Sequence, residues 1–348
     1  MLKELIKERN IPEVWPDKTV PWEVRQKEIL SMVEKYEYGK VLNSFDRVGF
    51  ETVREFDQMF GDKAVYREVK ITVWFGEESF SFRMIACIPK SEGKHPFFVH
   101  ITHLQDRPGW DVPGEELIDR GFAYLAFNYT SISGDNSDCD GAYPLLVKGT
   151  EDDPVSKIAC WSWGASRVLD YAETCPELDM SRSAVVGVSR LGKTSLFAGM
   201  EEPRFAYVIS HASGAGGAAV YRGIKLETLD DVIRKFPFWF NKTFTTYSGR
   251  VDEFPLDQHF LIAACAPRKV YVSGSDRDIY CDQDSMYLAC KAASEVYETM
   301  GLKGFVAPDR LPETWDVLHE GEIGFHLRPG THSMIRTDWN YFMDFILR

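Results

Sequence analysis

The chain has 348 residues, a formal net charge of −13, and 44% hydrophobic against 27% charged residues, a soluble globular composition. The acidic balance disfavours nucleic acid or an anionic membrane surface as main partner, since both need a basic face. No apolar run reaches the roughly 18–20 residues of a membrane span. Seven cysteines without close pairing, and a first stretch (MLKELIKERNIPEVWPDK) charged from the start, lead to the expectation of a reduced, cytoplasmic protein.

Residues 1–95 read as an N-terminal extension to a single domain spanning 1–348. It carries a helix over 21–36, opened by Pro21, and a hairpin of two β-rich runs, 66–75 and 79–89, around Gly76. From residue 96 strands and helices alternate. Strands are expected at 97–102, 122–128, 184–188, 206–210, 269–273 and 322–327, with helices at 114–120, 154–173, 192–200, 282–300 and 337–347. In helix 154–173, Asp153 is the expected cap and Pro154 the first residue. Trp161 and Trp163 within it are assigned to packing. Residues 213–260 break the rhythm and read as an insertion over the sheet edge. The alternation predicts an α/β fold with an open, mainly parallel sheet, in which ligands bind beyond the C-terminal ends of the strands.

The segment Gly187-Val-Ser-Arg-Leu-Gly-Lys-Thr194 stands between an expected strand and an expected helix, and two chemistries fit it. Gly187, Gly192, Lys193 and Thr194 meet the phosphate-cradling pattern G-x-x-x-x-G-K-[ST]. That enzyme class also needs a metal-holding carboxylate at a strand end, and FFVHIT, FAYLAFN and AYVIS end without one. The other reading is a nucleophile elbow around Ser189, with Gly187 two before it and Leu191 where G-x-S-x-G has its second glycine. A serine nucleophile needs an acid and then a histidine, in that chain order for this fold. Asp276, Asp278 and Asp282 follow one late strand, and His332 follows the last strand and precedes the final helix.

The motif Gly187-Val-Ser-Arg-Leu-Gly-Lys193 resembles the G-C-S-R-x-G-K motif of the glucuronoyl esterases, carbohydrate esterase family 15. Ser213–Gly217, Phe236–Phe240, Pro255–His259 with Ala266-Pro-Arg268, and the His332 loop resemble further segments of that family. The resemblance implies an α/β-hydrolase fold and a serine carboxylester hydrolase, without fixing the substrate; the expected substrates are carbohydrate esters of glucuronoyl-ester or acetyl-sugar type, cut through an acyl-enzyme. Ser189 would attack, His332 would serve as base and Asp278 would orient it. Arg190 would stabilise the oxyanion and Lys193 would contact sugar hydroxyls. Two positions depart from the family pattern. Ala212 replaces the glutamate of the fungal members, which leaves Asp278 in the place used by bacterial ones, and Val188 replaces the cysteine.

Trp239 is expected to line the pocket. Trp110 and Trp315 are further stacking candidates, and Glu227 and Asp257 either support the site or pair with Arg222 or Arg268. The second oxyanion donor is expected near His103 and Leu104. No cofactor is expected. The carboxylates at 276, 278, 282 and 284 lack the glycine and terminal glutamate of a calcium loop, so no metal is expected either. The expected partner is a small-molecule or oligosaccharide ester, with no nucleic acid and no membrane. A nucleotide-binding protein and a non-catalytic carbohydrate-binding relative are the alternatives.

Overall fold

The computed structural model describes residues 1–42, 44–103, 112–150 and 152–348. Its strands are β1 (Arg47–Gln58), β2 (Ala64–Phe75), β3 (Glu78–Pro89), β4 (His95–Thr102), β5 (Ala123–Asn128), β6 (Leu178–Val188), β7 (Tyr207–His211), β8 (Lys269–Ser275), β9 (Val317–Leu318) and β10 (Ile323–Arg328). They form one sheet in the order β1-β2-β3-β5-β4-β6-β7-β8-β10-β9. Pairings from β5 through β4, β6, β7 and β8 to β10 are parallel, and those among β1, β2, β3 and β5 are antiparallel. The residues of the hairpin therefore belong to the same sheet as the rest. β1 escaped the sequence reading because most of its residues are solvent-exposed, so it shows no apolar alternation.

Successive residues of β6 face opposite ways, as a strand requires. Val185 joins a core shared with helices α1 (Trp22–Val33), α2 (Lys157–Ala172), α3 (Arg190–Glu201) and α4 (Gln283–Thr299), while Ala184 and Val186 join a second core closed by α5 (Arg336–Ile346). Trp161 and Trp163 lie buried in the first core. Asp153 does not cap α2. Ser156 does, accepting from Ala159 N–H at 3.0 Å, and the helix starts three residues after the expected proline. Asp153 instead accepts from the backbone N–H and hydroxyl of Thr243 and from Lys242 N–H, so it pins the inserted segment.

That segment does not lie over an edge. It joins β7 to β8, which are neighbours inside the sheet, so it leaves from the C-terminal end of an interior strand and roofs the place where ligands bind in such sheets. The N-terminal region holds it there. Glu37 is fully buried, accepts from Tyr221 Oη at 2.6 Å and from Gln258 Nε2 at 2.9 Å, and is pushed by burial up to about 7. Asn241 N–H donates to the Glu37 carbonyl at 2.8 Å.

Candidate active site

β6 ends at Val188 and α3 begins at Arg190, so Ser189 alone turns the chain, with φ 62° and ψ −127°. A non-glycine residue there is strained and persists only where its surroundings fix it. Ser189 N–H donates to the His211 carbonyl at 3.0 Å, and the Ser189 carbonyl accepts from Gly192 and Lys193 N–H at 2.9 and 3.0 Å. The turn is crowded. A Cβ at Gly187 would lie 2.2 Å from the Leu191 carbonyl oxygen, and one at Gly192 would lie 2.7 Å from that of His211. The first turn of α3 brings residue 192 against β7, which is why the second glycine comes one position later than G-x-S-x-G places it.

The phosphate-cradle reading fails on the same geometry. No loop separates strand from helix. Lys193 Nζ donates to the Ser213 carbonyl, and buried Thr194 gives its hydroxyl to the Arg190 carbonyl at 2.9 Å.

Beyond β8, Asp278 Oδ2 accepts from His332 Nδ1 at 2.7 Å, and its Oδ1 accepts from Tyr280 and Cys281 N–H at 2.9 and 3.3 Å. Burial pushes this carboxyl up, but the hydrogen bonds from His332 and the two backbone groups outweigh it and hold the carboxyl below its ordinary value. The other two acids of the segment work elsewhere. Asp276 Oδ1 accepts from Gly330 N–H at 2.9 Å and so ties down the His332 loop, while Asp282 caps α4 through Ser285 N–H at 3.0 Å. Ala212, at φ 45°, stands beside the site without a carboxylate.

A cavity of about 410 Å³ is lined by Ser189, Arg190, Lys193, Ala212, Glu227, Lys235, Phe236, Trp239, Tyr280, Cys281 and His332. Lys193 is buried beside the Trp239 ring, at 5.7 Å, and burial holds its ammonium below the ordinary lysine range. Trp239 stacks on Phe236 at 3.8 Å. Glu227 pairs with Lys235 at 3.2 Å on the cavity wall. Asp257 is not part of it. It is fully buried and holds Tyr221 N–H and the Arg222 guanidinium. Arg268 bonds the Glu202 and Phe205 carbonyls instead. Trp315 is 64% exposed and is not among the residues of this wall. Near the expected second oxyanion donor, the His103 carbonyl accepts from Asn128 Nδ2 at 3.1 Å. Leu104 and Trp110 lie outside the described residues.

Beside Arg190 stands a carboxylate that escaped the sequence reading. Asp135 forms an ion pair with the Arg190 guanidinium, accepts from Trp239 Nε1 at 2.8 Å and from Tyr129 Oη at 3.0 Å, and so sets Arg190 5.0 Å from the Trp239 ring. It sits among several polar residues of the loop 133–140 (SGDNSDCD), where no spacing singles it out.

A mainly parallel sheet with a serine elbow after β6 and an acid–histidine pair beyond β8 and β10 defines an α/β-hydrolase. The family model described as "Glucuronyl esterase, fungi" matches residues 71–301. The carbohydrate esterase MZ0003, from an unknown prokaryotic organism, is 31% identical over 95% of this chain and 84% of its own. A promiscuous CE15 esterase from a marine bacterial metagenome superposes with a TM-score of 0.85 at 29% identity, covering 97% of this chain and 96% of that one. The glucuronoyl esterase of Solibacter usitatus gives 0.87 at 26%, covering 97% of both. The chain belongs to the glucuronoyl esterase family, carbohydrate esterase family 15, and is a carboxylic ester hydrolase, which sets aside the non-catalytic reading.

Proposed function

We propose that this protein hydrolyses esters of glucuronic-acid-type sugars through Ser189, His332 and Asp278, by way of an acyl-enzyme. The observation that carries the reading is the 2.7 Å Asp278–His332 pair on the wall of the cavity that also holds Ser189. A free serine is a weak nucleophile. His332 takes its proton through Nε2 while Asp278 holds Nδ1–H and so fixes the tautomer. The Ser189 oxygen bonds to the ester carbon, and the alcohol leaves with the proton from His332. Water then attacks the acyl-enzyme with His332 again as base, releasing the acid and restoring Ser189.

The Arg190 N–H, first in its helix, has no carbonyl within that helix to bond, and it points the reading to an oxyanion hole reinforced by the Arg190 guanidinium. One such donor supplies about 3–4 kcal/mol of barrier lowering. Lys193 and the Glu227–Lys235 pair offer donors and an acceptor for sugar hydroxyls, and Trp239 offers a flat wall. A name among the relatives points the same way: the 4-O-methyl-glucuronoyl methylesterase of Schizophyllum commune is 26% identical over 81% of this chain and 69% of its own.

The test is hydrolysis of methyl glucuronate and p-nitrophenyl acetate by the wild type and Ser189→Ala. The reading expects the wild type to favour the uronate ester and the variant to lose both activities. An active variant contradicts the serine mechanism, and a wild type that cuts only the acetate contradicts the acyl group.

A further inference from the structure

The wall between two hollows carries a thiol that the reaction above does not use. Cys281 lines the active-site cavity, and on its other side it lines an open groove of about 630 Å³ together with Asp276, Asp278, Asp282, Asp284 and Glu313. Its Sγ donates to the Ala212 carbonyl at 3.0 Å and lies 3.9 Å from His332 Nδ1. One potential ligand atom from each of Asp278, Cys281 and His332 falls within 4.8 Å of the other two.

We propose that Asp278, Cys281 and His332 form a regulatory site for a soft divalent cation, Zn²⁺ above all, whose occupation reversibly switches the esterase off. The switching half rests on the reading of His332 as base, and the binding half does not. The donor set is the first argument. Thiolate, imidazole and a single carboxylate suit Zn²⁺ and not Mg²⁺ or Ca²⁺, which take oxygen ligands. Distance is the second. Tetrahedral zinc with bonds of about 2.0–2.3 Å spaces its ligand atoms roughly 3.3–3.7 Å apart. The thiol–imidazole gap has only to close slightly, and the carboxylate–imidazole pair has to open by a side-chain movement. Access is the third. The groove on the outer side is rimmed by carboxylates, with Lys225, itself paired with Asp284 at 3.3 Å, as the cation among its lining residues, a field that draws cations in. Three protein ligands leave a fourth position for water.

Binding is a substitution and not a redox step. The Cys281 thiol gives its proton to solvent and its sulfur electron pair to the metal. Zinc takes the place of that proton, so it binds more tightly as pH rises. His332 stays neutral, but its Nδ1 lone pair now serves the metal and the ring proton moves to Nε2. There it faces Ser189 as a donor and can no longer accept the serine proton. The other cluster with ligating side chains among the described residues, His211, His326 and Asp338, is already served by a cation. Arg328 Nε donates to Asp338 at 2.7 Å, and both His326 nitrogens are bonded.

The experiment titrates the metal-stripped full chain with ZnCl₂ by calorimetry and follows ester hydrolysis, each variant scored against its own zinc-free rate. Co²⁺ substitution supplies a spectrum. The expected result is one Zn²⁺ per chain, inhibition reversed by EDTA, a thiolate-to-cobalt charge-transfer band, and at least about a tenfold loss of zinc affinity in Cys281→Ala. Cys281→Ser guards against a packing defect and is expected to lose the cobalt band while keeping its circular dichroism. Ser189→Ala is expected to bind zinc like the wild type, which supports the site whatever the esterase assay gives. Zinc affinity unchanged in Cys281→Ala, or hydrolysis by a wild type that binds no zinc, overturns the proposal.

Discussion

Two histidine–aspartate pairs draw on the last strand, loop and helix of the chain, with His326 on β10, His332 in the loop after it and Asp338 on α5, and they differ in what surrounds their hydrogen bond. Asp278–His332 measures 2.7 Å and Asp338–His326 2.8 Å. Asp338 and His326 are completely buried, whereas the His332 side chain is 24% exposed and lines the cavity. Both nitrogens of His326 are used, by Asp338 and by Tyr271 Oη at 3.1 Å. Arg328 neutralises Asp338 and reaches the Ser333 carbonyl, to which His211 Nε2 also donates at 2.8 Å. Burial alone would raise the Asp338 carboxyl, but His211, His326 and Arg328 beside it hold it well below the ordinary range. A buried ion cluster of this kind holds a loop in place, here the one bearing His332. A pair that does chemistry leaves one imidazole nitrogen facing open space.

The largest expected effect falls on the open pair and the serine on the same cavity wall. Ser189→Ala and His332→Ala should each lower kcat by about 10⁴-fold or more while leaving the unfolding midpoint near that of the wild type. A variant that keeps a tenth of the activity would break the contrast. Asp338→Asn should do the reverse. It leaves the Arg328 charge buried without its partner, a loss of about 3–5 kcal/mol in denaturant unfolding, and an unchanged midpoint would show that the buried cluster is idle.

Asp135→Asn weakens the hold on Arg190 and should lower kcat by about 10²-fold at most, with KM changing less; an equal rise in KM alone would place Arg190 in binding instead. The buried cluster also has a pH signature. Burial lowers His211 from its ordinary 6.5 to about 4. Between those values the unfolded chain binds the proton and the folded chain does not, so the stability His211 contributes falls as pH drops through that window. The gap in unfolding free energy between the wild type and His211→Asn should therefore narrow from pH 7 to pH 4, and a constant gap would contradict the assignment. The smallest effect belongs to Trp239→Phe. It keeps the flat wall but removes the hydrogen bond to Asp135, worth about 1 kcal/mol, and should appear as a several-fold change in kcat/KM.

Much of this arrangement was legible in the sequence wherever chemistry follows chain order. A serine after a buried strand, acids after a later one and a histidine before the last helix are local signals, and the parallel strands announce themselves as short apolar runs. What three-dimensional crowding decides was not legible. Nothing in the spacing says that Gly192 takes the second glycine's place, since that depends on how close α3 comes to the His211 carbonyl. Nor could spacing choose among Asp276, Asp278 and Asp282, which differ in what they face: the Gly330 N–H, the His332 ring and the start of α4. Asp135 was invisible because its partners, Arg190, Tyr129 and Trp239, come from three distant segments. Asp153 looked like a cap because it precedes a proline, yet the inserted segment claims it. Residues 213–260 were expected over the sheet edge but join two interior strands, because strand order in the sheet is not written in strand order along the chain.

The central claim is that Asp278, not Asp338, serves the reacting histidine. It is tested most directly by measuring kcat on methyl glucuronate for Asp278→Asn and Asp338→Asn side by side, at a temperature where circular dichroism shows both folded. The account predicts a loss of about 10⁴-fold in Asp278→Asn, where the imidazole loses the partner that fixes its tautomer, and a far smaller loss in Asp338→Asn. Equal turnover in the two variants, or a greater loss in Asp338→Asn, would contradict it.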